Sequence, residues 1–399
     1  MPAPTPVDTA RRRALLFERH LLGAAGRRGR SVGDVAATLA LLHSTDPSVP
    51  YLSVHARAEV GVDDIAAALY DRRSLIRLTT LRRTVFAMPH DVAADAIGCF
   101  NGDLVAKLRR QLLLWIDASP DVDGDAAAFL AGLEDQVVEV LRSAGPTTGN
   151  GLAAAIPGLR AQFDPSPGRD YSKPMRITTR VLELLAAECR IVRGRPTGDL
   201  TSGAWTWAAM DDWIPGGLPL VDPDAALAGL IGRYLAAFGP ATVTDAAWWT
   251  GIGKTRIRRA LLAIDAREVT IEGSPEPGWI LSDDALDVAT TDQPQVALLP
   301  GLDPTTMGWK QRDWYVDDSP AAGLFDRSGN AGPTAWVDGC VVGAWTQRGD
   351  GEVVVETLVD VGADARTLLD AEAERIAAWL GDVRVKWRYP TPFTKRLAG

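Results

Sequence analysis

The sequence predicts an α+β protein in which helical modules, each ended by a β-hairpin, repeat along the chain before a β-rich domain. Three observations support this class. Residues 224–264 indicate three short helices with a hairpin after them, two earlier segments repeat that order, and the pattern changes to short strands at about Gln293. The chain has 399 residues, more than a single typical core, so two to four domains are expected.

The clearest module is DAALAGLIGRYLAAFGPATVTDAAWWTGIGKTRIRRALLAI, residues 224–264. Apolar residues at helical spacing predict a first helix that stops at Gly239, which a proline follows. Thr242 or Thr244 can cap a short second helix, and a glycine-rich turn separates it from a third. The next stretch, REVTIEGSPEPGWILSD, indicates strand, turn and strand. This order is typical of a winged helix-turn-helix domain, a module that most often meets nucleic acid.

Two earlier segments share this order. Within residues 127–159, AGPT stands where FGPA stands in the clearest module, and the hairpin candidate ECRIVRGRPTGDLTSGAWTWA follows. The first copy is looser, with helical stretches before LIRLTTLRRTVFAM, which predicts two strands around a short turn. We therefore expect three tandem winged helix-turn-helix domains, at residues 8–120, 121–220 and 221–290.

The C-terminal part of the chain has a different sequence pattern. From about Gln293 it consists of short β-rich runs with Gly, Asp and Pro at the turns, and four tryptophans fall within them. This pattern predicts a small antiparallel β-barrel or sandwich at residues 291–399. A final helix, DARTLLDAEAERIAAWLG, and a strand, VRVKWRY, are expected to close the chain.

Composition excludes several classes of protein. Every apolar run is too short to cross a bilayer or is broken by charge, and the N-terminus lacks the apolar core of a signal peptide, so a cytoplasmic protein without a membrane partner is expected. Three widely spaced cysteines and four histidines without ligand spacing predict neither a disulfide framework nor a metal site. The GIGKT sequence at 251–255 lacks the first glycine of a P-loop and lies in a helical context, so no nucleotide cofactor is expected.

The charge distribution leaves two interpretations open. The formal net charge of −9 argues against a protein that coats nucleic acid indiscriminately. The positive charge is clumped, at residues 26–30, 71–84, 190–195, 253–259 and 384–396. One basic face on an acidic body fits this pattern, and so do arginine-rich turns that are simply solvated. On the first interpretation, phosphates or base edges of DNA are met by Arg77, Arg82, Arg83, Lys254, Arg256, Arg258 and Arg259.

The segment HSTDP, which begins at His43, also admits two interpretations. If residues 34–43 are helical, His43 lies at a helix C-terminus, where the helix dipole favours an imidazolium, and Thr45 and Asp46 suit a turn before the proline. Alternatively, the segment carries chemistry. Ser44 is disfavoured as a nucleophile activated by His43, because neighbours in sequence usually point apart. Local pattern alone does not decide between the two interpretations.

Several long motifs resemble the winged-helix DNA-binding-domain proteins of the AlkZ/YcaQ type. They are LLHSTDPSVPYLSVHARAE, LYDRRSLIRLTTLRRTVFAMP, GPTTGNGLAAAI, FGPATVTDAAWWTGI, LLPGLDPTTMGWKQRDWY and FDRSGNAGPTAWVDGCVVGAW. The resemblance runs from about Arg11 to Gly399. It implies three tandem winged-helix domains and a β-barrel, C-shaped around a basic channel of DNA size. It also implies a monofunctional DNA glycosylase that removes alkylated purines, including antibiotic adducts and interstrand crosslinks, from DNA. Double-stranded DNA is the expected partner, and a monomer is expected.

The family's catalytic signature is Gln, an apolar residue, then Gln or Asp, closely followed by Asp-Pro. Aligned on Asp46, this chain has His43, Ser44 and Thr45 at the three places, a departure at each. An N7-alkylated purine is already cationic, so the enzyme mainly has to position water and stabilise an oxocarbenium-like sugar. On this basis Asp46 is expected to supply a carboxylate, His43 to hold or deprotonate the water, and Thr45 to orient it.

Two other functions stay open at this point. A non-catalytic DNA-binding or adduct-sensing protein, such as a regulator, would use the same basic residues without releasing a base. A small-molecule hydrolase on this scaffold would act without DNA. Salt-dependent DNA binding is expected of the glycosylase and of the non-catalytic binder. Base release distinguishes those two, and sequence preference on undamaged DNA would indicate a regulator. The lesion, and whether its base is flipped, do not follow from the sequence.

Overall fold

The computed structural model of the protein describes residues 5–166, 168–169, 173–288, 292–316 and 323–399. In these ranges the chain has a mixed α/β fold, with several small sheets among many helices. It forms four units in chain order. No helix in these ranges combines the length and the apolar character that a bilayer crossing demands.

The first unit contains a three-stranded antiparallel sheet. It begins with β1 (Thr5–Val7), α1 (Thr9–Arg19), α2 (Gly23–Arg27), α3 (Val32–Leu39), β2 (Leu42–His43), α4 (Val49–His55) and α5 (Val62–Ala66). After a π-helical turn (Ala67–Asp71) it continues with β3 (Leu75–Thr79), a 3-10 turn (Leu81–Arg83), β4 (Val85–Pro89) and α6 (His90–Asp117). The sheet order is β2, β4, β3, and the β3–β4 hairpin confirms the two strands predicted around a short turn.

The helix α3 ends earlier than the apolar pattern predicted. A serine–aspartate capping box begins it, and Ala40, with a positive φ of 60°, ends it. The next residues join the sheet, where His43 pairs with Phe86 of β4. The prediction of a helix over residues 34–43 is therefore wrong, because the end of that segment gains hydrogen bonds from a strand more than forty residues away in the sequence.

The second and third units repeat one arrangement. The second comprises α7 (Ala126–Ala144), β5 (Thr147–Thr148), α8 (Gly149–Ala155), a 3-10 turn (Pro157–Arg160), β6 (Gln162–Phe163), β7 (Met175–Arg176), α9 (Thr178–Ala187), β8 (Ile191–Pro196), β9 (Trp205–Ala209) and α10 (Met210–Trp213). The third comprises α11 (Pro223–Phe238), β10 (Ala241–Thr242), α12 (Val243–Thr250), α13 (Lys254–Ala263), β11 (Arg267–Ile271) and β12 (Gly278–Ile280). In each of the first three units, a short strand before a helix pairs with the second strand of a hairpin.

The helices of the third unit begin and end at the predicted signals. α11 ends just before Gly239, Thr242 and Asp245 form a capping box, and Gly251 ends α12 in the left-handed conformation. The second carboxylate oxygen of Asp245 accepts a hydrogen bond from the backbone N–H of Lys310 at 2.9 Å. The same side chain therefore caps α12 and ties it to the fourth unit.

The fourth unit is an antiparallel meander covered by a helix. It comprises β13 (Val296–Leu299), β14 (Thr334–Val337), β15 (Cys340–Gln347), β16 (Val353–Thr357), α14 (Gly362–Leu380) and α15 (Pro392–Ala398). The expected small antiparallel β-barrel or sandwich is observed as a four-stranded sheet in the order β13, β14, β15, β16, and no pairing joins β13 to β16 in the described ranges. The predicted strand VRVKWRY is wrong. Side-chain hydrogen bonds, such as that from the Val385 N–H to Gln347, hold this segment beside β15 in place of a strand ladder.

The units share cores across their boundaries. Leu16 and Phe17 of α1 belong to one apolar cluster with Tyr234 of α11 and with Trp309 and Trp336 of the fourth unit. In addition, β1 runs parallel to β11 and extends the sheet of the third unit. The N-terminal helix thus fixes the third and fourth units relative to the first, whose hairpin faces them.

Candidate functional site

A cavity of about 160 Å³ lies where the first, third and fourth units meet. The first unit contributes β2 and its hairpin, the third contributes α12, and the fourth contributes the loop after β13. The wall includes His43, Phe86, Arg82, Trp248, Trp249 and Met307. Because the wall is mostly apolar and aromatic, with a few polar groups, it suits a flat organic ring.

His43 presents a neutral imidazole to this cavity. Its ring contacts Phe86 edge-on, with centroids 5.5 Å apart. Neither ring nitrogen hydrogen-bonds to a described residue, and Nδ1 is buried. Burial lowers the pKa of His43 from 6.5 to about 4. The ring is therefore uncharged at pH 7, and one nitrogen can accept a hydrogen bond from water or a ligand.

This environment differs from the one that the helix-end interpretation predicts. That hypothesis, an imidazolium favoured by a helix dipole, is wrong, because α3 ends at Leu39 and His43 belongs to a strand. The other three histidines each have a hydrogen-bond partner within the protein: His20, His55 and His90. Of the four rings, His43 is thus the one that lines the cavity and has neither nitrogen bonded to a described residue.

Ser44, the next residue, is buried and points into the protein. Its Oγ accepts a hydrogen bond from Nε of Arg77 at 2.9 Å, and its carbonyl accepts one from Nη2 at 3.1 Å. The third guanidinium nitrogen of Arg77 donates to the Tyr70 hydroxyl at 3.2 Å. Ser44 therefore has no exposed hydroxyl for nucleophilic attack. Arg77 is 5% exposed and occupied by these bonds, so it lacks the free surface that a predicted DNA contact requires.

Asp46 faces away from the His43 cavity. Its Oδ1 accepts hydrogen bonds from the backbone and hydroxyl of Ser48, and its Oδ2 accepts one from the backbone N–H of Arg388 at 2.9 Å. Arg388 also donates from Nη1 to the Thr45 carbonyl at 2.9 Å. Asp46 lines a separate small cavity of about 10 Å³. The structure therefore does not bring the Asp46 carboxylate and the His43 imidazole into one cavity, and it uses Thr45 and Asp46 to hold the C-terminal segment.

The turn of the β3–β4 hairpin carries two exposed arginines. Arg82 and Arg83 have positive φ angles of 50° and 60°, and Arg82 lines the cavity. Its guanidinium carbon lies 5.3 Å from the ring centroid of Trp248, as does that of Arg312 from the fourth unit. These cation–π contacts join the hairpin, α12 and the fourth unit around one indole.

The four basic residues predicted on the third helix of the third module lie on the surface of α13. Three of them already have acidic partners: Lys254 with Glu276, and Arg256 and Arg259 both with Asp224. Arg258 forms no ion pair in the described ranges. Because exposed ion pairs of this kind contribute little, a phosphate can replace the acidic partners.

A buried charged network supports the cavity from inside the protein. Arg57 and Asp303 form an ion pair of 2.6 Å in which both side chains are fully buried. Ser53 donates to the same carboxylate at 2.7 Å, and Arg57 also donates to the Thr305 hydroxyl at 2.7 Å. Burial alone would raise the pKa of Asp303, but the Arg57 charge and the hydrogen bonds outweigh it, and the pKa is lowered. Asp303 belongs to the loop after β13, which also carries Pro304 and Met307 of the cavity wall. The ion pair therefore positions that wall.

Arg57 and Asp303 both lie in motifs that were recognised in the sequence, but no role was predicted for either residue. The two residues are 246 positions apart, so no local pattern links them. An arginine two residues after the end of a helix made of buried residues was the one available signal, since a charge there has to find a partner.

Two other kinds of chemistry, metal binding and catalysis by Cys99 or Cys189, find no support in the described ranges. No three His, Cys, Asp or Glu side chains come together there as metal ligands do. Burial raises the pKa values of Cys99 and Cys189 to about 12, so neither thiol ionises near neutral pH.

Three comparisons with known proteins agree with one another. The family model described as DNA glycosylase AlkZ-like matches residues 36–379. An interstrand DNA cross-link repair glycosylase from Streptomyces sahachiroi is 29% identical over 184 residues, which cover 44% of this chain and 48% of that protein, so the match spans about half of the relative. The solved structure of Streptomyces sahachiroi DNA glycosylase AlkZ matches 96% of this chain and 100% of its own with a TM-score of 0.68. At 21% identity, that likeness concerns the fold.

Proposed function

The chain belongs to the AlkZ-like DNA glycosylase family, and on that premise we propose that it hydrolyses the N-glycosidic bond of alkylated purines in double-stranded DNA. The observation that carries the proposal is the cavity in which neutral, unpartnered His43 shares a wall with Trp248 and the exposed Arg82. Because one relative is described as an interstrand cross-link repair glycosylase, bulky N7-guanine adducts and crosslinks are the first substrates to test.

In this proposal the modified base enters the aromatic cavity. Trp248, Trp249 and Phe86 offer ring surface, and stacking of a base on an aromatic side chain contributes about 1–3 kcal/mol. Arg82, exposed at the hairpin turn, contacts the phosphates of the strand that carries the lesion. His43 then lies beside the bound base, and one of its ring nitrogens faces the deoxyribose of that nucleotide.

Release of a cationic purine requires only a weak base catalyst. The glycosidic C1′–N9 bond breaks, both electrons pass to the cationic purine and neutralise it, and the sugar becomes oxocarbenium-like. A water hydrogen-bonded to His43 attacks C1′ and loses a proton through the imidazole to solvent. A ring with a pKa of about 4 is a weak base, and it suffices because water bound to a carbocation is strongly acidic. Positioned proton transfer of this kind contributes roughly 10²–10⁴-fold.

The same cavity predicts selectivity for lesions that are already cationic. Within the described ranges, the titratable side chains on its wall are His43 and Arg82. The N–H of a neutral imidazole and a guanidinium are both too weakly acidic to protonate a purine at pH 7. A neutral purine, whose departure requires protonation, therefore finds no acid, and its release is expected to be slow.

We assign Thr45 and Asp46 to positioning. The Asp46 carboxylate holds Ser48 and the Arg388 backbone, and the Thr45 carbonyl holds the Arg388 side chain. These bonds keep the backbone after His43 in place. This role modifies the expectation that Asp46 meets the sugar directly.

We also propose that the first three units are winged-helix domains, at residues 8–120, 121–220 and 221–290, and that residues 291–399 complete a C-shape around DNA. The strand–helix–hairpin order common to the three units supports this organisation. The exposed Arg83 and the basic surface of α13 are then available to the duplex.

The test is base release from duplexes with one N7-alkylguanine, measured by mass spectrometry of the free base and by alkaline cleavage at abasic sites. Wild type is compared with His43→Gln and with a His43→Ala/Asp46→Asn double variant. His90→Gln is the matched control, because that ring bonds to a backbone carbonyl outside the cavity. Equal release by wild type and the double variant would remove both residues from the mechanism. No release from any adduct would overturn the enzyme assignment.

One observation favours a second candidate function, adduct binding without hydrolysis. Both oxygens of the Asp46 carboxylate accept hydrogen bonds and the group lies outside the cavity, so among the described residues no carboxylate lines the cavity to stabilise a sugar cation. Tight binding of the alkylated duplex with an intact glycosidic bond after prolonged incubation at stoichiometric protein would support it.

A further inference from the structure

The second unit carries a guanidinium whose charge no described residue neutralises. Arg193 lies on β8, with its guanidinium carbon 4.4 Å from the ring centroid of Trp205 and 5.7 Å from that of Trp207. Its side chain makes no hydrogen bond or ion pair in the described ranges. The acid within electrostatic range, Glu183, bonds to Arg180 at 2.7 Å. Arg193 therefore lies on an aromatic platform without a directly bonded acidic partner among the described residues.

Two further arginines add positive charge at the same place. Burial, followed by the charges of Arg77 and Arg388, lowers the pKa of Arg193 from 12.5 to about 9. The strand β3, which carries Arg77, packs against β8, and Arg388 comes from the C-terminal segment. We call Arg77, Arg193 and Arg388 the arginine cluster. It lies beside residues 44–46, the backbone that follows His43.

The three arginines of this cluster differ in how many of their guanidinium nitrogens donate hydrogen bonds to described residues. Arg77 donates from all three nitrogens to Ser44 and Tyr70. The side chain of Arg388 is exposed and donates only from Nη1, and Arg193 donates from none of its nitrogens. Two guanidiniums therefore keep free N–H groups, while Arg77 adds charge from below the surface. Adjacent like charges are destabilising unless an anion joins them.

We propose that Arg193 and Arg388 bind one phosphodiester of the DNA backbone, close to the nucleotide whose base enters the His43 cavity. The planar guanidinium fork matches phosphate oxygens, and the two tryptophans hold the fork of Arg193 in one orientation. Because Arg388 also holds the Thr45 carbonyl, a phosphate bound there secures the backbone behind His43. The inference rests on the proposed DNA function, and it requires binding without requiring base release.

The test uses the full chain and equilibrium binding, followed by fluorescence anisotropy. Arg193→Met removes the charge and keeps an apolar stem that packs on the tryptophans. Arg195→Met is the matched control, since Arg195 lies on the same strand but has an ion-pair partner, Asp71, at 2.6 Å. The probes are duplexes in which one methylphosphonate, an uncharged group, replaces each phosphate in turn on either side of the lesion.

Arg193→Met is expected to weaken binding about tenfold or more, because a hydrogen bond to a charged group is lost. The slope of log K against log salt is expected to fall by about 0.9. At one position, the methylphosphonate should weaken wild-type binding by a similar factor. The same substitution should not weaken binding by Arg193→Met any further. Binding by Arg195→Met should change less than by Arg193→Met.

Three results would overturn the proposal. Additive effects of Arg193→Met and of every methylphosphonate would show that Arg193 touches no phosphate. A lowered melting temperature with unchanged DNA binding would make Arg193 a packing residue. If inorganic phosphate raises the melting temperature of wild type but Arg193→Met leaves DNA binding intact, the cluster is a site for free anions. Because none of these measurements uses base release, failure of the glycosylase assignment would be seen separately.

Discussion

The protonation state of His43 gives the most direct quantitative prediction. The perturbation is a fall in pH from 7.5 to 4, applied to wild type and to His43→Phe. In the unfolded chain a histidine has a pKa of about 6.5, whereas burial lowers the pKa of His43 in the folded protein to about 4. The unfolded state therefore binds the proton first as the pH falls, and stability present above pH 6.5 is lost progressively down to pH 4.

The size of this loss follows from the difference in pKa. Two and a half pH units at about 1.4 kcal/mol each give up to about 3.5 kcal/mol. Burial also lowers the pKa values of His20 and His55, to about 3, and their contribution is present in both proteins. The difference in unfolding free energy between wild type and His43→Phe consequently isolates the contribution of His43.

Urea denaturation at a series of pH values measures this difference, and NMR of the imidazole Cε1–H signals gives the pKa directly. Wild type should lose stability relative to His43→Phe across the window from pH 6.5 to 4, and base release should stay constant down to about pH 5 and fall below it. A His43 pKa above 6, or a difference in stability that is constant across the window, would refute the reasoning. Burial would then not control the charge of this ring.

Three other residues carry predictions of their own. Asp303→Asn leaves the buried Arg57 without a counter-charge and should lower the unfolding free energy by about 3–5 kcal/mol, measured with urea. Trp248→Ala should weaken binding of an alkylated duplex by about 1–3 kcal/mol, measured by anisotropy, and leave undamaged DNA almost unaffected. Arg258→Ala should lower the salt slope of DNA binding by about 0.9, because no ion pair in the described ranges competes with the phosphate for this side chain.

Each of these predictions has a matched control. Asp287→Asn changes a carboxylate whose side chain is 97% exposed and should alter stability by less than about 0.5 kcal/mol. Trp248→Phe keeps a stacking ring and should restore most of the affinity. Arg259→Ala should lower the salt slope less than Arg258→Ala does, because Asp224 already pairs with Arg259 at 2.9 Å. Equal effects of variant and control in any of the three cases would contradict the stated cause.

The third unit could be predicted from the sequence because its signals are local. Gly239 stops one helix, Thr242 and Asp245 cap the next, and Gly251 ends it, all within thirteen residues. The same reasoning failed at residues 34–43, where apolar spacing indicated a helix through His43. The competing strand hydrogen bonds come from β4, which a sequence window around His43 does not contain.

The sequence predicted a candidate site at HSTDP, and the structure assigns only one side chain of that segment to the wall of the aromatic cavity. The HSTDP segment does border the aromatic cavity, but only His43 of that segment faces it, and Asp46 faces the C-terminal segment. Two features of the surroundings, the Arg57–Asp303 pair and the arginine cluster, are formed by residues distant in sequence and from different units. Long-range charge pairing follows tertiary packing, which residue spacing does not encode.

The departure of this chain from the family signature is consistent with base release only because His43 is neutral. An imidazolium about 4 Å from a cationic purine would be repelled by about 1 kcal/mol in water and about 4 kcal/mol at an effective dielectric constant near 20. The burial that lowers the pKa of His43 removes this repulsion and leaves a hydrogen-bond acceptor, which an amide oxygen in the same place would also supply. The same burial makes His43 a poor general base, so the site suits bonds that break before water attacks. Neutral purines, whose bonds require protonation first, should therefore remain intact in this cavity.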